Sequence, residues 1–174
     1  MRHTVIITLF IASFCHIAIA QSPEERLQEL NIELFEPTKP VANFVKAVTV
    51  GNMVYLSGHG PSNALGASIQ GKLGDDLSVE EGREAARLSA ISLLSSLKAE
   101  IGDLNRVKRI VKVTGMVNAT PEFTDHPMVI NGCSDLLVKV FGEKGKHARS
   151  AVGMGSLPFN IAVEIEMIVE IEAP

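Results

Sequence analysis

From Val163 to Glu172 the chain alternates between apolar and acidic side chains. Val163, Ile165, Met167, Val169 and Ile171 stand against Glu164, Glu166, Glu170 and Glu172, with Ile168 the one apolar residue on the acidic side. A period of two sustained over ten residues puts every second side chain on one surface of an extended strand, whereas a helix would scatter the same residues around its axis. The segment is therefore predicted to be a β-strand with one face in a core. Ile168 makes its other face more apolar than full exposure to water requires.

The preceding chain supplies partners for such a strand. Ser78-Val-Glu-Glu81 has the spacing of a capping box, and Val79, Ala86, Ala90, Leu93, Leu97 and Ile101 then recur at helical intervals up to Gly102, predicting a long amphipathic helix. Val107 to Val117 is rich in β-branched residues and reads as a strand, with Val107, Val111 and Val113 inward and Lys108, Lys112 and Thr114 outward. A second helix starts at Thr120-Pro121 or His126-Pro127, since proline suits the first helical turn, and its stripe is Ile130, Cys133, Leu137, Val140 and Phe141 before Gly142. Phe44 to Val50 and Met53 to Ser57 form a hairpin about Gly51-Asn52. The glycine-rich stretch Gly58 to Gly74 is expected to be loops around one short strand near Ile69, and Arg149 to Val152 is a short strand paired antiparallel with the last one. The order β-β-(β)-α-β-α-β-β predicts an α+β domain, a mixed sheet with two helices packed on one face.

The first 20 residues differ in kind. They carry one charge, Arg2, then an apolar run ending Ala18-Ile-Ala20, which is the pattern of a signal peptide cleaved after Ala20; an uncleaved anchor is the alternative. The organisation expected is a leader over 1–20, a polar arm over 21–42 and one domain over 43–174, in a protein secreted or delivered to a periplasm and free of the membrane once cleaved. Loss of Arg2 leaves 15 basic against 20 acidic residues, a net charge of −5, so the chain as a whole offers no electrostatic footprint for nucleic acid. Cys133 is then the only cysteine left, so no internal disulfide supports the fold, and its place on a helical apolar stripe marks it as a buried, inert thiol.

Several motifs carry less than their spacing suggests. Gly66 to Lys72 has the G-x-x-x-x-G-K spacing of a phosphate loop, but Leu73 stands where a magnesium-binding hydroxyl is needed and no helix follows. His59, His126 and His147 are too scattered to form a metal set, and no metal site is expected. Arg149 and Glu164 are more informative. A guanidinium fork recognises a carboxylate and a glutamate can move protons, although a plain cross-strand ion pair that sets register would use the same two residues.

Taken together, Gly51-Asn-Met-Val-Tyr-Leu-Ser-Gly-His-Gly-Pro61, the run Gly102 to Val113, Asn131-Gly132, His147-Ala-Arg-Ser-Ala-Val152, Leu157-Pro158 and Val163-Glu-Ile-Glu166 resemble the Rid family of YjgF-like reactive intermediate deaminases, over roughly residues 40 to 172. The resemblance implies a fold similar to bacillary chorismate mutase, a homotrimer, and ligand clefts between subunits. It implies hydrolysis of small amino-acid-derived enamines or imines to a 2-oxo acid and ammonia, with no metal or organic cofactor. By the same resemblance Arg149 grips the substrate carboxylate, Glu164 positions or activates water, and Ser57, Asn131, Phe44 and His59 line the substrate site. Phe44 replaces a family tyrosine, Ala151 a cysteine and His59 a glutamine, which marks a divergent subgroup. The alternative reading is a non-catalytic trimeric module that binds a small anionic metabolite in the same cleft. A chorismate-mutase-like rearrangement has fold analogy alone behind it.

Overall fold

The computed structural model describes residues 21–40, 42–62 and 68–173; the leader over 1–20 lies outside them. Its elements are α1 (Pro23–Glu29), β1 (Ala47–Val50), β2 (Met53–His59), α2 (Val79–Ile101), β3 (Val107–Asn118), α3 (His126–Phe141), β4 (Ala148–Met154) and β5 (Val163–Ile171). The five strands form one sheet in the order β1-β2-β5-β3-β4. All pairings are antiparallel except β3 with β4, which α3 connects as a parallel crossover. The α+β architecture is the one predicted.

Strand β5 sits at the centre because it has the cleanest apolar face. Val163, Ile165, Met167, Val169 and Ile171 are all buried, and they meet Val54 and Leu56 of β2 and Val113 and Val117 of β3. Helices α2 and α3 cover that face. His59 reaches Ser96 and Thr49 reaches Glu100 on α2, while a Cβ at Gly115 would run into Ile130 of α3. Within the helix layer, Gly132 lets α3 approach so closely that any Cβ there would strike the backbone carbonyl of Arg83 in α2.

Both helix starts follow from local chemistry. Ser78 caps α2 and Glu81 returns the bond to the Ser78 amide, while Pro127 sits in the first turn of α3, which begins at His126 and not at Thr120. Helix α1 has its own capping box, Ser22 with Glu25, and buries Leu27. The arm that follows it packs Ile32, Leu34 and Phe35 against the core, and the Phe35 amide donates to Ser95 Oγ (3.2 Å). That cover, with Ser62 O accepting from Ser92 Oγ and His59 meeting Ser96, buries Ser92, Ser95 and Ser96 of α2 although they lie off its predicted stripe.

Four expectations need correction. The first strand is only Ala47–Val50, so Phe44 lies ahead of it. Near Ile69 there is no strand, only isolated bridges such as Gln70 with Ile161. In β3 two register shifts move Ile110 into the core in place of Val111, which is half-buried; a bulge changes which side chain faces inward, and residue counting cannot see it. The fourth correction concerns function: β4 and β5 do not form a hairpin, because β3 lies between them. The 155–162 connection crosses the C-terminal end of β3, where the Ala119 amide donates to Met154 O (3.1 Å) and the Asn118 amide to Ala162 O (2.9 Å). Twelve residues of β3 are long enough to pair on both edges.

Candidate functional site

Arg149 is the second residue of β4, an edge strand, and pairs with Val113 of β3. In that register its side chain shares the helix-covered face with Val113, Ala151 and Gly153. Its Nη1 donates to Asn131 Oδ1 (2.9 Å) and to Ser134 Oγ (3.0 Å), acceptors one turn apart on α3. Both are neutral. Among the described residues no carboxylate forms a salt bridge with Arg149 and none accepts from its Nε or Nη2, so one edge of the half-buried fork is anchored and the other is open to a ligand.

The anchor continues. His147 Nε2 lies 3.1 Å from Ser134 Oγ, and its Nδ1 lies 2.7 Å from Gly145 O. A carbonyl only accepts, so Nδ1 carries the proton and Nε2 accepts from the Ser134 hydroxyl. Burial lowers the pKa of His147 and the Arg149 charge pushes the same way, against the bond to Gly145, which raises it. Ser134 and His147 were absent from the expected site. The signal existed: Ser134 is three residues from Asn131 on one helix, and His147 is two residues before Arg149, on the same side of an extended chain.

Glu164 is elsewhere. It pairs with Met116, whose other neighbour is Val152, on the face of the sheet away from the helices. There its carboxylate lies across Gly58, where any side chain would collide with it. Burial raises its pKa above the ordinary value, and Glu166 on the same face adds to the rise. Ser57, next to Gly58, donates from Oγ to Lys46 O (3.3 Å) and borders a cavity of about 340 Å³ with Tyr55, Lys112, Thr114, Glu166 and Ile168. Arg149 and Asn131 are thus brought together, whereas Glu164 and Ser57 share the opposite side of the sheet. The antiparallel juxtaposition of Arg149 with Glu164 does not exist in one chain.

The other two expected residues do not line either group with a free side chain. Phe44 is 54% exposed ahead of β1. His59 is buried, its Nδ1 donating to Ser57 O (2.7 Å) and its Nε2 accepting from Ser96 Oγ (2.7 Å), so it fastens β2 to α2. Cys133 is buried behind Arg149, and burial lifts its thiol to about 12, the opposite of what a nucleophile requires. Among the described residues no three His, Cys, Asp or Glu side chains converge as metal ligands.

Known proteins share this arrangement of chain. The protein is 46% identical over 146 residues to Protein TCP17 of Trypanosoma cruzi, covering 83% of this chain and 91% of that one. It is 29% identical over 135 residues to the 2-iminobutanoate/2-iminopropanoate deaminase of Dermatophagoides farinae, covering 77% and 90%. The crystal structure of Atu1372 from Agrobacterium tumefaciens superposes with a TM-score of 0.80 at 44% identity over 87% of this chain and 94% of that one. Residues 24–171 match the family model described as "YjgF/chorismate_mutase-like, putative endoribonuclease", and with the strand order, the two covering helices and these relatives the chain belongs to the YjgF/Rid-like family.

Proposed function

We propose that this protein is a hydrolytic deaminase of small carboxylate-bearing enamines or imines, working as a homotrimer with Arg149 as the carboxylate clamp. The observation that carries the reading is the state of Arg149: a half-buried guanidinium oriented by two neutral acceptors and matched by no carboxylate among the described residues. Such a group is poised for an external anion, and its fork suits a planar one. The overall charge of −4 favours a small anion over a polyanion as that ligand. The deaminase named among its relatives acts on substrates of that class.

In this reading water adds to the C=N carbon and the nitrogen is protonated. The tetrahedral carbinolamine then loses ammonia as the C–N bond breaks, leaving the 2-oxo acid. Arg149 orients the substrate and Glu164, its pKa raised by burial, carries the proton. Because these two lie on opposite sides of the sheet, the site is completed across the edge strand β4 by a neighbouring copy. The helix-free face supports assembly: Val48, Val50, Tyr55 and Val152 are exposed on it, an apolar surface that water alone does not favour. Light scattering should give three copies of the chain, and a monomer at micromolar concentration would refute the assembly. Export after cleavage at Ala20 is part of the proposal and is tested by whether the N-terminus of the exported chain is Gln21.

The test of catalysis is a coupled assay in which an amino-acid oxidase generates the imine and 2-oxo acid release is followed. Release should exceed the spontaneous rate with the wild type, and Glu164→Gln should bind ligand normally while losing most of the excess. A wild type that adds nothing to the spontaneous rate refutes the deaminase. If it still binds a 2-oxo acid, the protein is the binding module instead, a reading that the loss of the family tyrosine hydroxyl at Phe44 favours.

A further inference from the structure

We propose that His147 is a positioning residue for Arg149, acting through the hydroxyl of Ser134. The inference rests on Arg149 being the ligand clamp and adds two residues to that site. Three short contacts run in series: Gly145 O to His147 Nδ1 (2.7 Å), His147 Nε2 to Ser134 Oγ (3.1 Å), and Ser134 Oγ to Arg149 Nη1 (3.0 Å).

The direction of each bond is forced by the one before it. The Gly145 carbonyl cannot donate, so Nδ1 carries a proton, and in the neutral ring that burial beside Arg149 favours, Nε2 offers a lone pair. The Ser134 hydroxyl satisfies that lone pair with its only proton. Its oxygen then has nothing left to donate and turns its own lone pairs toward the guanidinium. Without His147 the hydroxyl would be free to rotate and to spend time pointing its proton at Arg149, which is repulsive. The imidazole therefore keeps Ser134 an acceptor, and with Asn131 Oδ1 at 2.9 Å it pins Nη1 so that the remaining N–H groups face a ligand in one orientation. The ring itself is fixed from the backbone: Gly145 lies where α3 ends, packed so closely on the Leu137 carbonyl that a Cβ there would strike it.

A merely structural histidine would hold the α3–β4 connection and leave Arg149 indifferent to its chemistry. The two roles separate in a double-mutant cycle on the full-length protein, with calorimetric binding of 2-oxobutanoate as the probe and urea denaturation as the folding control. His147→Phe and Ser134→Ala should each weaken binding about tenfold or more, of the order expected for one hydrogen bond to a charged group. The double variant should be no weaker than the worse single one, because both break the same path. His147→Gln, whose amide oxygen can accept from Ser134, should recover most of the loss. Additive losses, or unchanged affinity in folded His147→Phe, would overturn the proposal.

A ligand-free readout distinguishes this inference from the clamp itself. In nitrogen-15 spectra the Arg149 guanidinium should show slowed rotation in the wild type and in His147→Gln, and fast rotation in His147→Phe. If 2-oxobutanoate does not bind the wild type, the clamp reading fails, and the positioning proposal stands or falls on those spectra. Unchanged Arg149 rotation in His147→Phe overturns it.

Discussion

Arg149→Lys is the substitution that most directly tests the site. It keeps the positive charge and removes the geometry. In the wild type Nη1 is engaged by Asn131 and Ser134, which leaves the Nε–H and Nη2–H pair to meet both oxygens of a carboxylate. A lysine ammonium has three donors on one atom, so keeping Asn131 and Ser134 satisfied leaves one for the ligand, and the second charge-assisted bond is lost. A hydrogen bond to a charged group contributes about 1.5–3 kcal/mol, so Kd should rise about 10- to 150-fold. Folding should change by under about 1 kcal/mol, because the charge is retained and no carboxylate partner among the described residues is orphaned. Calorimetry with 2-oxobutanoate beside urea denaturation reads both quantities. A folded Arg149→Lys protein that binds within threefold of the wild type would refute recognition by the fork. A loss of several kcal/mol in stability with unchanged affinity would make Arg149 a structural residue.

Gly132→Ala should cost about 1–3 kcal/mol or more, because the new Cβ meets the backbone carbonyl of Arg83 and the helices must part; a thermal midpoint within a degree of the wild type would contradict that contact. Native protein at pH 8 should resist iodoacetamide at Cys133 and react once unfolded, whereas rapid native alkylation would show the thiol to be accessible and ionised. His59 has its pKa lowered chiefly by burial, so the unfolded chain binds the proton more readily. Stability should therefore fall as pH drops below the ordinary histidine value of 6.5, less steeply in His59→Gln, and a stability flat from pH 7 to 5 would refute the buried neutral ring.

What the sequence determines by itself is local. The period-two run from Val163 needs only its own pleat to show which side faces a core, and Ser78 with Glu81 needs only one helical turn to start α2; both are as read. The family is legible too, because its motifs are short stretches in fixed order. The strand order is not, since hydrogen-bonding edges carry no side-chain code: Arg149–Val152 and Val163–Ile171 are neighbours in sequence, yet β3 lies between them in space. The intervening strand holds Arg149 and Glu164 apart, and the registers of β4 and β5 against β3 put them on opposite sides of the sheet. The register shifts that place Ile110 inward, and the arm that covers Ser95 of α2, are likewise settled by packing. The partners of Arg149 lie between these extremes. Asn131 and Ser134 are one helical turn apart and His147 is two residues from Arg149, spacings visible in the chain, but only the crossover that lays β4 beside α3 brings the two pairs within hydrogen-bonding distance.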